Sequence, residues 1–159
     1  RKLRWFGLDK RVSRLENDIK RAGYKYGMNN VNATIGSVQL RYIDQIIGKH
    51  VENGKFYDKA LKNVPGVTLV PYYAHTEPSY WLYTAKVEDR DEFCKAMEDR
   101  GVIASPLHHR SDTHSVFANS KCDLPALDEF YKHFVHIPCG WWVSKEDREY
   151  IIDMIKKGW

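Results

Sequence analysis

NNVNATIGSVQLRYIDQIIGKHVENGKFYDKALKN, residues 29–63, is the stretch that decides the fold. Asn29 or Asn30 can cap a helix, because a short side-chain oxygen accepts from an amide two or three residues further on. From there to about Asn63 turn signals are few, and the apolar residues recur at helical spacing. Ile35, Val38, Tyr42 and Ile46 make one stripe, while Leu40, Ile43, Ile47 and Val51 make a second. A helix that is apolar on two sides must be covered on two sides. Gly36 and Gly48 each cost about 1 kcal/mol of helix propensity relative to alanine, so another backbone is expected to pack closely there. Such a helix calls for more partners than a small domain provides.

Downstream the periods shorten. Pro65-Gly66 is a turn pair, Val67 to Val70 reads as a strand, and after a loop from Pro71 to Pro78 the segment Tyr80 to Val87 is rich in aromatic and β-forming residues. Asp89 or Asp91 starts a helix around Phe93, Met97 and Arg100, and Gly101 stops it. Val102 to Ser105 reads as a strand ending at Pro106, followed by a polar, His-rich loop from Leu107 to about Asp123. Leu124 to Phe134 is helical and Val135 to Pro138 is a short strand. Ser144 with Asp147 three positions on makes a capping box for a last helix, whose Tyr150, Ile151, Met154 and Ile155 share one face. The order predicts an α+β fold, a small mostly antiparallel sheet with helices on one face, preceded by a long connecting helix.

A length of 159 residues with 43% apolar and 13% aromatic content suits one domain with its own core and excludes a disordered chain. No apolar run approaches the roughly 20 residues that span a bilayer, and no basic-then-apolar leader is present. Cys94, Cys122 and Cys139 are an odd count without a C-x-x-C pair. They suggest neither a disulfide framework nor a cysteine zinc site, and they fit a reducing, cytoplasmic compartment. The net charge of +4 is unevenly placed: the first 25 residues hold nine Lys or Arg against three acidic residues, so the rest sums to −2. Such an arm can bind phosphate, as a polyanion or as one small ligand, or be a solvated basic loop. Nucleic acid and membrane are not the expected partners. The chain starts at Arg1 inside what reads as a helix, and the expectation is an incomplete protein.

Three segments could carry chemistry. His108-His109-Arg110-Ser111-Asp112-Thr113-His114 places three imidazoles, a carboxylate and a guanidinium in one loop. Metal ligation, contact with an anionic or sugar substrate, and ordinary loop hydrogen bonding are all open, although the spacing matches no helical metal motif. Gly23-Tyr24-Lys25-Tyr26-Gly27-Met28-Asn29-Asn30 leads into the long helix, whose positive end favours an anion. Lys25 and the tyrosine hydroxyls would add donors there, or the segment is a helix-entry loop with asparagine caps. Ile137-Pro138-Cys139-Gly140-Trp141-Trp142 invites a nucleophile reading, but no base lies nearby in sequence, and packing at a strand end is the better one. The paired tryptophans can stack on a ligand ring or fill an interface.

Taken together, the blocks Leu3-Arg4-Trp5-Phe6-Gly7, Gly23-Tyr24-Lys25-Tyr26-Gly27-Met28-Asn29 and Asn32-Ala33-Thr34-Ile35-Gly36-Ser37-Val38-Gln39-Leu40 resemble the DegT/DnrJ/EryC1/StrS sugar aminotransferases. The later blocks agree: Ser79-Tyr80-Trp81-Leu82-Tyr83, Gly101-Val102-Ile103 before His108-His109, Leu124-Pro125, and Ile137-Pro138 followed by Ser144-Lys145-Glu146-Asp147. The resemblance covers essentially residues 1 to 159 and falls on the C-terminal portion of the family.

It implies a pyridoxal 5'-phosphate enzyme of the aspartate-aminotransferase fold that moves an amino group, usually from glutamate, onto a nucleotide-linked keto sugar. The family's Schiff-base lysine sits in a motif like Ser-Phe-His-x-x-Lys, which this chain lacks, so no catalytic residue is assigned here and the chain alone is expected to be inactive. The implied parts are 1–28, a basic arm and cofactor-site loop from the large domain; 29–63, the connecting helix; and 64–159, the small C-terminal domain. The family's active site lies at a homodimer interface, where the loop before the long helix reaches the cofactor phosphate, which maps onto Lys25, Tyr26 and Asn29. Two positions depart, since many members have Asn at Lys25 and Arg at Gly27. The loop at His108, His109 and Arg110 corresponds to a segment near the nucleotide-sugar pocket, which tilts it from metal toward anionic substrate. Two other readings are carried forward: a binding or assembly module docking through the long helix and the Trp pair, and a metal-dependent hydrolase built on His108, His109, Asp112 and His114.

Overall fold

The structure is a computed structural model that describes residues 6, 8–9, 11–13, 16 and 18–159, with the side chains of 115–117 excepted. Arg1, Lys2, Arg4, Lys10 and Arg14 of the basic arm lie outside the described residues, as do Leu3, Trp5 and Gly7 of the first family-like block. Two units are distinguished, Arg1–Ile43 and Asp44–Trp159.

In the first unit, helix α1 spans Asn30–Gln39. Asn29 is its cap: its backbone is extended and its Oδ1 accepts from the Asn32 amide at 2.9 Å. None of the residues of α1 is buried. One 3-10 turn, Leu40–Tyr42, follows, and helix α2 then runs from Ile43 to Leu61. The close backbone approach expected at Gly36 and Gly48 does not occur, since a Cβ at either position would meet nothing within 4 Å among the described residues. Both glycines lie on stretches of helix whose neighbours are exposed.

Within the second unit, α2 buries His50, Asn53, Gly54, Tyr57 and Leu61. That is the three-and-four spacing of a single helix face. The sheet contains β1 (Val67–Leu69), β2 (Tyr83–Val87) and β3 (Phe134–Ile137) in that order, all antiparallel. The expected α+β class therefore holds. Tyr83, Ala85 and Val87 alternate inward from β2 and join Tyr57 of α2, Phe93 and Met97 of α3 (Arg90–Asp99), and Ile151 and Ile155 of α5 (Lys145–Lys156) in one core. The opposite face, with Thr84 and His136, meets the His-rich loop and α4 (Pro125–His133).

The strand expected over Val102–Ser105 shrinks to a single bridge, in which Ser105 and His136 exchange backbone hydrogen bonds of 3.1 and 2.9 Å. In an antiparallel ladder the next hydrogen-bonded pair would oppose Ile103 and Pro138, and proline has no N–H to give. Of the three glycines on α1 and α2, Gly54 rather than Gly36 or Gly48 is crossed at close range: a Cβ there would stand 2.3 Å from the Tyr80 ring. Tyr80 itself takes a left-handed φ of 49°. Its hydroxyl donates to Asp58 Oδ2 at 2.7 Å, its carbonyl lies 2.9 Å from His50 Nδ1, and its ring stacks 6.1 Å from that of Tyr83 and stands edge-on to that of Tyr72 at 5.6 Å. The Tyr83 hydroxyl donates to the other Asp58 oxygen at 2.9 Å. The capping box of the last helix forms as expected, the Asp147 amide donating to Ser144 Oγ at 3.0 Å and the Ser144 amide to Asp147 Oδ2 at 3.0 Å.

Candidate functional site

The sequence-predicted residues fall in both units, and each set is built up separately. In Arg1–Ile43, Lys25 and Tyr26 are exposed on the loop that runs into α1, and the rings of Tyr24 and Tyr26 lie 5.6 Å apart. A helix leaves its first amides without intrahelical acceptors. Here the Asn29 side chain takes that of Asn32, while the Asn29 carbonyl takes that of Ala33 at 3.0 Å. The amides of Asn30 and Val31 keep no acceptor within the helix. An ammonium, a phenol and two helix-end amides thus come from one short segment, a donor set suited to a phosphate. These residues fit the phosphate end of pyridoxal phosphate.

In Asp44–Trp159 the polar, His-rich loop carries local structure of its own. It folds through two 3-10 turns, Ser111–Thr113 and Ser115–Ser120. Arg110 organises it: Nε donates to Asp112 Oδ1 at 2.9 Å, Nη2 donates to Asp112 Oδ2 at 2.7 Å, and Nη1 donates to Asp128 on α4. The guanidinium also lies over the Tyr131 ring, 5.7 Å from its centroid. Its hydrogen bonds hold the Asp112 carboxyl below the usual carboxylate range, and both carboxylates in turn hold the guanidinium firmly charged. Two carboxylates therefore face one cation and take three of its five N–H donors.

The histidines divide. Thr113 Oγ1 donates to the Arg110 carbonyl at 2.7 Å, so its single proton is used and His109 Nε2, 2.8 Å away, must donate to it. His108 belongs to a different group, standing edge-on to His136 at 5.5 Å and tilted to Trp81 at 6.0 Å. Among the described residues no three His, Cys, Asp or Glu side chains converge as a metal requires, and Asp112 is already taken by Arg110.

Sequence reasoning missed His136 and Thr84. They are partners in the β2–β3 register and so share a face, with Thr84 Oγ1 and His136 Nδ1 3.0 Å apart. His136 and Thr84 line an open cleft of about 480 Å³ with the His-rich loop and the apolar side of α4. The available signal was the alternation of a strand, Phe134-Val135-His136-Ile137, which sends one polar side chain away from the core.

Cys139 is buried, with its Sγ 3.6 Å from the His50 carbonyl. Burial, with a smaller push from Asp58, drives its thiol up to about 12. A thiol with so little thiolate at neutral pH is a packing group and no nucleophile. Trp141 and Trp142 are both exposed, their rings perpendicular and 6.1 Å apart. No helix among the described residues is long and apolar enough to cross a membrane.

Known proteins share this fold. Residues 1–156 match the DegT/DnrJ/EryC1/StrS aminotransferase family. The sugar aminotransferase CalS13 from Micromonospora echinospora superposes over 99% of this chain with a TM-score of 0.93 and 35% identity. AtS13 from Actinomadura melliaura does so over 99% with a TM-score of 0.91 and 38% identity. In both cases the chain covers 43% of the other structure. A dTDP-4-dehydro-2,3,6-trideoxy-D-glucose 4-aminotransferase from Saccharopolyspora spinosa is 32% identical over 122 residues, 69% of this chain and 29% of that protein. The chain thus spans less than half the length of these relatives. From the capped entry of α1 to the end of α5, it belongs to the DegT/DnrJ/EryC1/StrS aminotransferase family.

Proposed function

We propose that the chain is the C-terminal part of a pyridoxal-phosphate-dependent aminotransferase that moves an amino group, from glutamate, onto a nucleotide-linked keto sugar. The observation that supports this best is the loop from Lys25 to Asn29 running into the capped N-terminus of α1, within a chain 35% and 38% identical to the two structures above over 99% of its length. Pyridoxal phosphate, when bound, supplies the electron sink that makes an amino group transferable. On this reading Lys25 and Tyr26 hold its phosphate by charge and hydrogen bond, and Asn29 fixes the helix end that faces it. His108, His109 and Arg110 contact the anionic nucleotide sugar, Arg110 exchanging a carboxylate for a phosphate oxygen of similar geometry. The protein works as a cytoplasmic homodimer. Its division is 1–28 as arm and cofactor-site loop, 29–63 as connecting helix, and 64–159 as small domain.

The exposed apolar residues of the helical stretch, Ile35, Val38, Leu40 and Ile43 among them, favour a covered rather than a free surface. They are equally the feature on which a docking module would rest, and the two readings part on chemistry. Incubated with pyridoxal phosphate and then borohydride, the 159-residue chain is expected to show no site-specific labelling of one lysine. A longer polypeptide that carries the chain together with a Ser-Phe-His-x-x-Lys element is expected to label at that lysine. In the longer protein Lys25→Ala should weaken cofactor binding by about tenfold, the worth of one charge-assisted contact. Stoichiometric labelling of the short chain, or a longer protein that neither binds the cofactor nor transaminates, defeats the proposal.

A further inference from the structure

Among the described residues Phe6, Tyr80 and Asp89 have a positive φ without being glycine, and of these Tyr80 alone is buried. At its φ of 49° the Cβ crowds the following carbonyl, and a bulky residue keeps that conformation only where its surroundings enforce it. Helix α2 supplies the enforcement. His50, Gly54 and Asp58 are four residues apart and so line one face. His50 Nδ1 must donate to the Tyr80 carbonyl at 2.9 Å, because a carbonyl only accepts. Gly54 leaves room for the ring, which a Cβ there would meet at 2.3 Å, and Asp58 accepts the hydroxyl at 2.7 Å. The same carboxylate accepts the Tyr83 hydroxyl at 2.9 Å. Burial, and then the hydrogen bond to Asp58, raise both phenols above their ordinary value of 10, so both keep the protons they donate. Trp81, the next residue, faces the other way: it is exposed, and its ring lies tilted against that of His108 at 6.0 Å.

We propose that Tyr80 is a positioning residue: pinned left-handed by α2, it fixes where the Trp81 indole stands, and Trp81 orients His108 for the substrate, a role that rests on reading His108 as a contact of the nucleotide sugar. The loop around His108 ties its other side chains by hydrogen bonds, Arg110 to Asp112 and Asp128 and His109 to Thr113. His108 instead meets rings, Trp81 on one side and His136, edge-on at 5.5 Å, on another. Ring contacts orient an imidazole without using its N–H or its lone pair, which leaves both for a ligand. Without the Tyr80 hydroxyl on Asp58 the strained backbone is free to relax toward an ordinary extended conformation, and Trp81 moves with it. Tyr83 lacks this consequence, since its hydroxyl meets the same carboxylate from the regular backbone of β2.

The test compares Tyr80→Phe with Tyr83→Phe. Each takes one hydroxyl from Asp58, so a purely structural role gives both the same outcome. In the 159-residue chain the His108 imidazole signals, displaced by the Trp81 ring current, are followed by NMR, and Trp81→Leu, at an exposed position, marks where they fall without the indole. Tyr80→Phe is expected to move them toward that mark, and Tyr83→Phe to leave them at the parent position. In the longer protein that carries this chain, Tyr80→Phe and Trp81→Leu should each raise the KM of the nucleotide sugar about fivefold, with kcat and the KM of the amino donor unchanged. Tyr83→Phe should leave all three unchanged. No displacement in Tyr80→Phe, equal displacement in the two tyrosine variants, or none in Trp81→Leu overturns the positioning role. So does a nucleotide-sugar KM that neither Tyr80→Phe nor Trp81→Leu raises. A longer protein that transaminates no nucleotide sugar defeats the functional reading instead, and the His108 signals still decide whether Tyr80 positions Trp81.

Discussion

Helices α1 and α2 follow one another with a single 3-10 turn between them, yet they treat their apolar residues in opposite ways. Helix α1 has no buried residue, whereas α2 buries five along one face. Ile35, Val38 and Leu40 are 57, 42 and 67% exposed, while Tyr57 and Leu61 are 0 and 1% exposed. Periodicity says that a stripe must be covered, and it is silent about what covers it. The C-terminal half of α2 lies in one core with its own sheet, α3 and α5. On the function proposed above, the stripe of α1 is left for the remainder of the aminotransferase.

The sharpest way to break this contrast is truncation. Tyr57 is wholly buried, its ring is 5.1 Å from that of Tyr83, and its hydroxyl donates to the Pro138 carbonyl at 2.9 Å. Tyr57→Ala is expected to destabilise the chain by about 3–5 kcal/mol through the cavity and the orphaned carbonyl. Ile35→Ala should stay within about 0.5 kcal/mol. Urea unfolding monitored by circular dichroism measures both, and equal losses would mean that α1 is covered within this chain after all.

The glycines give a smaller effect whose sign reverses between the two regions. Gly54→Ala drives a methyl into the Tyr80 ring, 2.3 Å from the nearest ring atoms, and Tyr80 is pinned by Asp58 and His50. Overpacking of that kind costs about 1–3 kcal/mol. At Gly48 nothing lies within 4 Å among the described residues, so Gly48→Ala should stabilise by about 0.5–1 kcal/mol from helix propensity alone. The same unfolding curves read both, and a destabilising Gly48→Ala would reveal a neighbour at that position.

These two glycines also show where the sequence could be read and where it could not. The capped start of α1, the Ser144–Asp147 box and the alternation of β2 are local patterns, and each forms where the residues predict. Which glycine is crossed depends on Tyr80 adopting a left-handed backbone, and nothing in its neighbours announces that. The strand at Val102–Ser105 has strand-like residues but meets Pro138 across the ladder, a clash visible only once register is known. Likewise His108, His109 and Arg110 are adjacent in sequence but separate in space: Arg110 turns to Asp112 and Asp128, His109 to Thr113, and His108 to His136. Lys25, Tyr26 and Asn29 are proposed on resemblance and the helix-end argument together, and of these the cap at Asn29 is the local pattern that forms as read. Thr84 and His136 were not legible, because strand pairing made that pair.

Protonation separates the two regions most gently. All seven histidines follow residue 49, so no imidazole titrates in Arg1–Ile43, whereas His136 sits in the sheet with its pKa lowered from the ordinary 6.5, first by burial and then by His108. A lowered pKa means that the unfolded chain takes up the proton first. The contribution of the neutral ring to stability is therefore complete above about pH 6.5 and is lost as the pH falls through that value toward the lower folded pKa. Thermal unfolding between pH 8 and 5 should show a midpoint that drops on acidification, and the drop should be smaller in His136→Phe, which has no proton to gain. If the variant loses as much as the parent, His136 is not held neutral by the sheet. If the parent gains stability in acid, the imidazolium has found a partner, and Nε2, without one among the described residues, is then paired in the charged form.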